Sequence, residues 1–421
     1  MIFNIYLVAK KRRHPPLGLG YIKTYAEKNS KNIRITIIEL NDYEDILDEK
    51  LYPIKPDMIG FSCYENPQIF IDLCFKLKKK YENIITLLGG PAITTSFYDK
   101  LDYKKSVDYI IIGEGEETFV ELLNRILEKK KNFSEIKGLG YFQSGKMVFN
   151  PLREPISDIN KIPSPYLSRV FNLKNYTEFY IEGSRGCLYQ CNYCAVSKSF
   201  MGYRKFDLKR TLKELDEIIK ENPEAKSIEF CDSDIFHDIK RAEKIFKKIK
   251  KINKKIFFNF NTEATRLNDN IVDWISKPNI TVAFGIQTIT KSALIKTNRF
   301  FDMDKIKENI LRYKDKIQNI AQPFVLSCIY GLPGDNFENF KKTIEFGLQT
   351  QARLDFFKLM VWKNTRFEKM SKEYNIKFSN KYPYYIISND TYKKEEIIKT
   401  EKKLNEICSV IKITEKDRFL S

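Results

Sequence analysis

Short runs of β-branched and aliphatic residues alternate along the first 128 positions with longer stretches whose apolar residues recur every three or four places. The runs over 3–8, 33–40, 57–62, 83–90 and 108–115 predict strands, and YIKTYAEK, YEDILDEK, PQIFIDLCFKLKKKY and SFYDKLD between them predict helices. Repeated β-α units of this kind predict a parallel, doubly wound sheet. Residues 136–150, IKGLGYFQSGKMVFN, predict a β-hairpin turning at Ser144-Gly145. The four prolines of PLREPISDINKIPSPYL predict an extended linker after it.

From about residue 176 the alternation resumes, with strand patterns at 176–184, 227–234, 255–264, 280–288, 323–334 and 353–362. Six strand-helix units predict a partial or full barrel with its chemistry at the carboxyl ends of the strands. The expected organisation is 1–135, 136–172 (hairpin and linker), 173–368 (barrel) and 369–421 (a helical extension with no obvious chemical group).

Composition changes this picture little. Apolar residues make up 43% of the 421, enough for large cores. The net charge of +18 could indicate a polyanionic partner, but the lysines sit in amphipathic stretches such as FKLKKKYENI, where they form solvated helix faces; a nucleic-acid partner is therefore not expected. There is no apolar stretch long enough for a membrane span, and the amino-terminal apolar run precedes its charges, so a cytoplasmic location is expected. Eight cysteines in such a chain point to reduced thiols and metal chemistry. Cys63, Cys74, Cys231, Cys328 and Cys408 stand alone in apolar contexts and read as small core residues.

The other three fall within GSRGCLYQCNYC, at C-x3-C-x2-C spacing: Cys187, Cys191 and Cys194. A closed zinc site needs a fourth protein ligand, and the chain has two histidines and no second cysteine pair at zinc spacing. An iron-sulfur cluster held by three cysteines leaves one iron for an outside ligand. Small residues also gather at the ends of the first-domain strands: Pro16-Leu17-Gly18, Ser62, Gly89-Gly90 and Gly113-Glu114-Gly115-Glu116. Ligands of open α/β sheets bind on that rim.

The cysteine spacing, with Tyr193 directly before the last cysteine, resembles the radical S-adenosylmethionine (SAM) superfamily. The resemblance implies a 4Fe-4S cluster whose free iron is chelated by SAM, and SAM contacts from Tyr193, Asp232, Gln287, Ile329 and Gly331. Asp232 lies in EFCDSD, similar to the family's F-x-D-D segment but with Ser233 in place of the second carboxylate. Gln287 lies in GIQT, and Gly331 in GLPG, which in the family runs beside the adenine. After the sixth strand, Lys363-Asn364-Thr365 stands where relatives show P-G-T. PPLGLGY, GGP and GEGE before such a barrel resemble the cobalamin-binding class, which implies that Pro16, Leu17, Gly18, Ser62, Gly89, Gly90, Gly113, Glu114 and Glu116 bind the corrin. The D-x-H-x-x-G signature is missing, since Arg12 precedes His14 by two and Leu17 follows it by three, so His14 is expected to make no bond to cobalt.

The resemblance thus implies an α/β chain with a flavodoxin/Rossmann-like cobalamin domain followed by a radical SAM partial (βα)6 barrel. It implies C-methylation of a small-molecule or peptide substrate, with an electron donor such as flavodoxin or ferredoxin. Radical rearrangement, cyclisation or oxidation without methyl transfer is the alternative. A methylthiotransferase would need three further cysteines in the first domain, and a cobalamin or redox sensor would not need the SAM-contact segments.

Overall fold

The computed structural model describes residues 2–93, 106–196, 202–252, 255–318, 323–362 and 365–411. They form two compact units, one of Met1–Thr177 with Lys213–Pro223, the other of Glu178–Leu212 with Glu224–Ser421.

In the first unit β1 (Phe3–Lys10), β2 (Ile33–Leu40), β3 (Met58–Ser62), β4 (Ile85–Gly89) and β5 (Tyr109–Ile111) form a parallel sheet in the order β2-β1-β3-β4-β5. Its strands read as continuous apolar runs because both faces are covered: β3 is buried at all five positions. The helices α1 (Leu17–Asn29), α2 (Pro67–Lys80) and α3 (Gly115–Leu127) alternate with the strands, and one core joins Leu7 and Leu87 of the sheet to Phe119 and Leu123 of α3. YEDILDEK forms two short 3₁₀ turns, 43–47 and 49–51, instead of the expected helix; Asp42 and Asp48 each accept a backbone N–H at their starts, the local capping that favours such turns. SFYDKLD lies outside the described residues.

The hairpin β6 (Leu139–Gln143) and β7 (Lys146–Phe149) turns at Ser144 (φ 50°) and Gly145 (φ 83°), both left-handed as a two-residue turn requires. Strand β6 pairs antiparallel with β5, so the hairpin completes a seven-stranded sheet. Sequence alternation cannot reveal that pairing, because it fixes a strand's faces and not its neighbour.

The second unit holds a six-stranded parallel sheet, β15-β14-β13-β12-β11-β8, formed by β8 (Glu178–Ile181), β11 (Ser227–Phe230), β12 (Phe257–Thr262), β13 (Ile280–Gln287), β14 (Val325–Tyr330) and β15 (Arg353–Lys358). Strands β8 and β15 are the two edges, so the barrel is open. Helix α4 (Leu208–Glu221) begins in this unit and continues into Lys213–Pro223, which belongs to the first; around the sheet lie α5 (Ile239–Ile249), α6 (Asp269–Ile275), α7 (Lys291–Lys296), α8 (Met303–Ile317) and α9 (Phe337–Gln349). One face of each strand packs on these helices: Phe260 lies 5.0 Å from Phe230 and 4.8 Å from Phe246 of α5, ring centre to ring centre. Each such fully buried ring contributes about 2–3 kcal/mol. The segment after the barrel contains α10 (Arg366–Lys369), β16 (Lys377–Phe378), β17 (Ile386–Ser388) and α11 (Lys394–Ile411). Among the described residues no helix is long and apolar enough to cross a membrane.

Candidate cofactor sites

The three cysteines follow β8 in a loop closed at its neck by a two-stranded ribbon, β9 (Ser184–Arg185) against β10 (Arg204–Lys205). Gly186 takes φ 82° to turn the chain into Cys187, and Cys194 N donates to Cys191 O at 3.1 Å. Burial pushes the Cys187 thiol up, and the nearby Cys194 and Cys191 push it further. The Tyr189 backbone N–H opposes that rise and favours a Cys187 thiolate. Arg299 brings Nη1 to 3.5 Å from Cys191 Sγ and 3.3 Å from the Tyr193 hydroxyl, lies over the Phe301 ring and donates through Nη2 to Gly285 O. A buried Cys191 thiol facing a guanidinium, with half-buried Cys187 and Cys194 beside it in the loop, fits an anionic cluster. Among the described residues no three His, Cys, Asp or Glu side chains are placed to share one metal ion; a cubane does not ask for that, because each cysteine takes a different iron.

The neck of the loop is held from the end of β11. Asp232, 2% exposed, accepts from Gly183 N at 3.1 Å and from Ser184 Oγ at 2.8 Å. Ser233 Oγ donates to Gly186 O at 2.9 Å. Arg241 of α5 donates to Gly183 O, to Phe206 O and to Thr211 Oγ1, and its charge acts on Asp232. Asp232, expected as a SAM contact, therefore braces the cluster loop. Both its oxygens already face protein donors.

Elsewhere on the rim, β13 bulges between Gly285 and Gln287, and Gln287 takes φ 65°. This strained conformation turns the Gln287 side chain back over Gly285, where a Cβ would lie 2.8 Å from its Nε2. Ile329 stands half-buried in β14, and Gly331 follows the strand at φ 89°. Asp335 closes the GLPG turn: it accepts from Thr288 Oγ1 and Thr290 Oγ1, and burial raises its carboxyl to about 6. Lys363 and Asn364 lie outside the described residues.

The sheet face turned away from the helices is polar. Tyr180, Glu229, Asn259 and Thr281 stand side by side across β8, β11, β12 and β13. Cys231 continues this face and is exposed, unlike the buried Cys63, Cys74 and Cys328; the apolar context that suggested a core cysteine comes from Phe230, which points to the opposite side. The side chain of Cys408 lies outside the described residues.

In the first unit the predicted rim residues divide into open and committed. Gly18 and Gly113 have nothing within 4 Å of a would-be Cβ, a cradle that admits a flat ligand against backbone. Ser62 and Gly89 end adjacent strands in register. Pro16 and Leu17 start α1, half-buried. Gly90, at φ 98°, would carry its Cβ 2.8 Å from Cys63 N. Gly90→Ala is expected to cost about 1–3 kcal/mol and Gly113→Ala about 1, a difference that denaturant unfolding measures. Glu114 and Glu116, expected as ligand contacts, are both buried, and Glu114 accepts from Ile156 N at 2.9 Å. The His14 ring nitrogen Nδ1 lies 3.2 Å from Pro15 O. The rim thus fits a corrin held through backbone and small side chains.

Sequence reasoning missed Arg299, Arg241 and Glu263. Glu263 directly follows β12 and pairs with Arg266 at 3.2 Å, which also lies 3.5 Å from Asp234. A carboxylate directly after a strand was the available signal for Glu263; the two arginines carry none, since each lies on an element far along the chain from the loop it serves.

The profile of the radical SAM superfamily matches residues 181–347 and that of the B12-binding domain residues 4–123. An uncharacterized methyltransferase of Pyrococcus horikoshii, PH0819, is 26% identical over 346 residues, 79% of this chain and 72% of its own. An anaerobic magnesium-protoporphyrin IX monomethyl ester cyclase of Rubrivivax gelatinosus is 23% identical over 359 residues, 78% of this chain and 61% of its own. The radical SAM methyltransferase TsrM of Kitasatospora setae, solved with cobalamin and a [4Fe-4S] cluster bound, shares the fold at a TM-score of 0.70 and 15% identity, over 89% of this chain and 75% of its own. With both domains matched in order, the chain belongs to the cobalamin-binding radical SAM enzymes, whose cofactors are a 4Fe-4S cluster, S-adenosylmethionine and cobalamin.

Proposed function

We propose that the chain transfers a methyl group to an unactivated carbon of a small-molecule or peptide substrate. The observation that carries this reading is the pairing, in one chain, of a braced three-cysteine loop at the strand ends of one sheet with an open glycine rim on another. When bound, the cluster with SAM supplies a 5'-deoxyadenosyl radical and cobalamin supplies the methyl group.

The chain's own residues hold and orient. Cys187, Cys191 and Cys194 ligate the cluster, and Arg299 balances the thiolate charge from 3.5 Å. Tyr193, Gln287, Ile329 and Gly331 face SAM, while Asp232 acts through the loop that it braces. Pro16, Leu17, Gly18, Ser62, Gly89, Gly90 and Gly113 bound the corrin. The polar row of Tyr180, Glu229 and Asn259 supports a substrate that hydrogen-bonds. Electrons would come from a flavodoxin or ferredoxin in the cytoplasm.

Anaerobic reconstitution with iron, sulfide and hydroxocobalamin, followed by SAM and reductant, tests the reading. 5'-Deoxyadenosine and S-adenosylhomocysteine together are the expected products. Deoxyadenosine alone would favour radical cyclisation or oxidation, the reading that the cyclase relative supports. Loss of the cobalamin spectrum on desalting would remove the assignment of the first unit.

A further inference from the structure

The segment after β15 carries no motif, yet it touches both loops assigned to the cluster and to SAM. Arg366 Nη2 donates to Gln190 Oε1 at 3.1 Å, and the Phe367 ring lies 6.3 Å from that of Tyr193. Asn192 Nδ2 lies 3.8 Å from Met370 Sδ. Asp390 pairs at 2.7 Å with Lys296, whose carbonyl accepts from Asn192. One residue earlier stands Asn389, 2% exposed. Its Nδ2 donates to Gly331 O at 2.8 Å, and its Oδ1 accepts from Thr391 N at 3.0 Å and Tyr392 N at 2.9 Å. Thr391 Oγ1 in turn accepts from Gly334 N at 2.8 Å. Ile386 closes the other side, with Cγ2 only 2.7 Å from where a Cβ on Gly331 would lie.

We propose that Asn389 is the positioning residue of the Gly331–Gly334 loop, making the segment over residues 365–392 a working part of the SAM site. The inference rests on the reading of Gly331 as a SAM contact. Gly331 and Gly334 both take left-handed φ, 89° and 88°, so these two joints have no side-chain preference of their own, and the local bond from Asp335 N to Leu332 O holds only the far end of the turn. The geometry is set from outside, by a donor to Gly331 O and an acceptor from Gly334 N. A side-chain amide suits the donor position, because two backbone donors fix its oxygen and so aim its nitrogen at the carbonyl. No other side chain of that length both accepts and donates there.

Asn389→Asp keeps the acceptor and turns the donor into an oxygen facing Gly331 O. In the full-length protein reconstituted with cluster and cobalamin, bound iron and the paramagnetic signal of the reduced cluster without SAM are expected to match wild type. The change that SAM induces in that signal, followed as a titration, is expected to need about tenfold more SAM, the loss of one buried hydrogen bond. Deoxyadenosine formation at saturating SAM should stay within about twofold, so KM moves and kcat does not. A purely structural role would lower thermal stability and leave the SAM titration in place. A SAM titration within about twofold of wild type overturns the proposal. Should Asn389→Asp not fold, Thr391→Val removes the acceptor for Gly334 N and the hydroxyl's own bond to Asn389 Oδ1, with a shift of about threefold expected on the same scale. If wild type itself shows no response of the cluster to SAM, the reading of the site fails, and this inference with it.

Discussion

Replacing Cys191 by alanine is expected to remove the cluster altogether: bound iron falls from about four per chain to near zero, the broad thiolate-to-iron absorbance disappears, and no deoxyadenosine forms. Cys191 is the middle ligand of the loop. It is buried, its carbonyl accepts the Cys194 N–H, and its sulfur faces Arg299. Two remaining thiolates cannot hold a cubane that three already hold with one iron open. Cys231→Ala is the informative control. That residue opens onto the inner face of the same sheet, while its sulfur is hemmed in by protein; that enclosure and the charges of Glu182, Glu229 and Asp232 raise its thiol. It should therefore stay protonated and uncoordinated, and the variant should keep its iron. Cobalamin binding should survive in both variants, because the glycine rim belongs to the other unit. Iron retained in Cys191→Ala, or lost in Cys231→Ala, would show that the ligand set is wrong.

The strands, their order in the chain and the cysteine loop are legible in the sequence because each is a local pattern. A β-branched run flanked by glycine announces a strand and its turn, as at NIITLLGG, and three cysteines within eight residues announce a shared ligand. What stays hidden lies between distant positions. Asp232 and Gly183 are 49 residues apart, and Asn389 and Gly331 are 58 apart. The same aspartate reads as an open acceptor until the donors facing it are known. Cys231 misleads for a related reason: the apolar letters before it do not describe its surroundings, because adjacent strand residues face opposite sides. Glu114 and Glu116 likewise read as rim contacts on the strength of neighbouring glycines, and only the fold shows that they turn inward.

Arg241→Met is expected to destabilise by about 2–3 kcal/mol, because it takes away a charged donor to buried Thr211 Oγ1 and the positive charge that favours the buried Asp232 carboxylate. It also removes donors to Gly183 O and Phe206 O, on the two sides of the ribbon that closes the cluster loop. Bound iron should be lost to chelators faster than in wild type. The effect has a pH signature. Burial raises the Asp232 carboxyl in the native protein, while Ser184, Arg241 and Gly183 pull it down. A carboxyl raised above its unfolded value, about 3.9, lends stability in its protonated form and loses it as pH rises through the folded value. Without Arg241 that folded value climbs further, so the penalty of Arg241→Met should be largest near neutral pH and shrink as acid protonates Asp232. Asp232→Asn in the same chain should recover part of the loss at neutral pH, since it removes the unpaired charge and keeps an acceptor for Ser184. Denaturant unfolding of the single and double variants between about pH 5 and pH 8 measures both effects. A penalty flat across that range would mean that Arg241 acts only through its hydrogen bonds to the Gly183 and Phe206 carbonyls, and that the buried charge of Asp232 has no part in holding the loop.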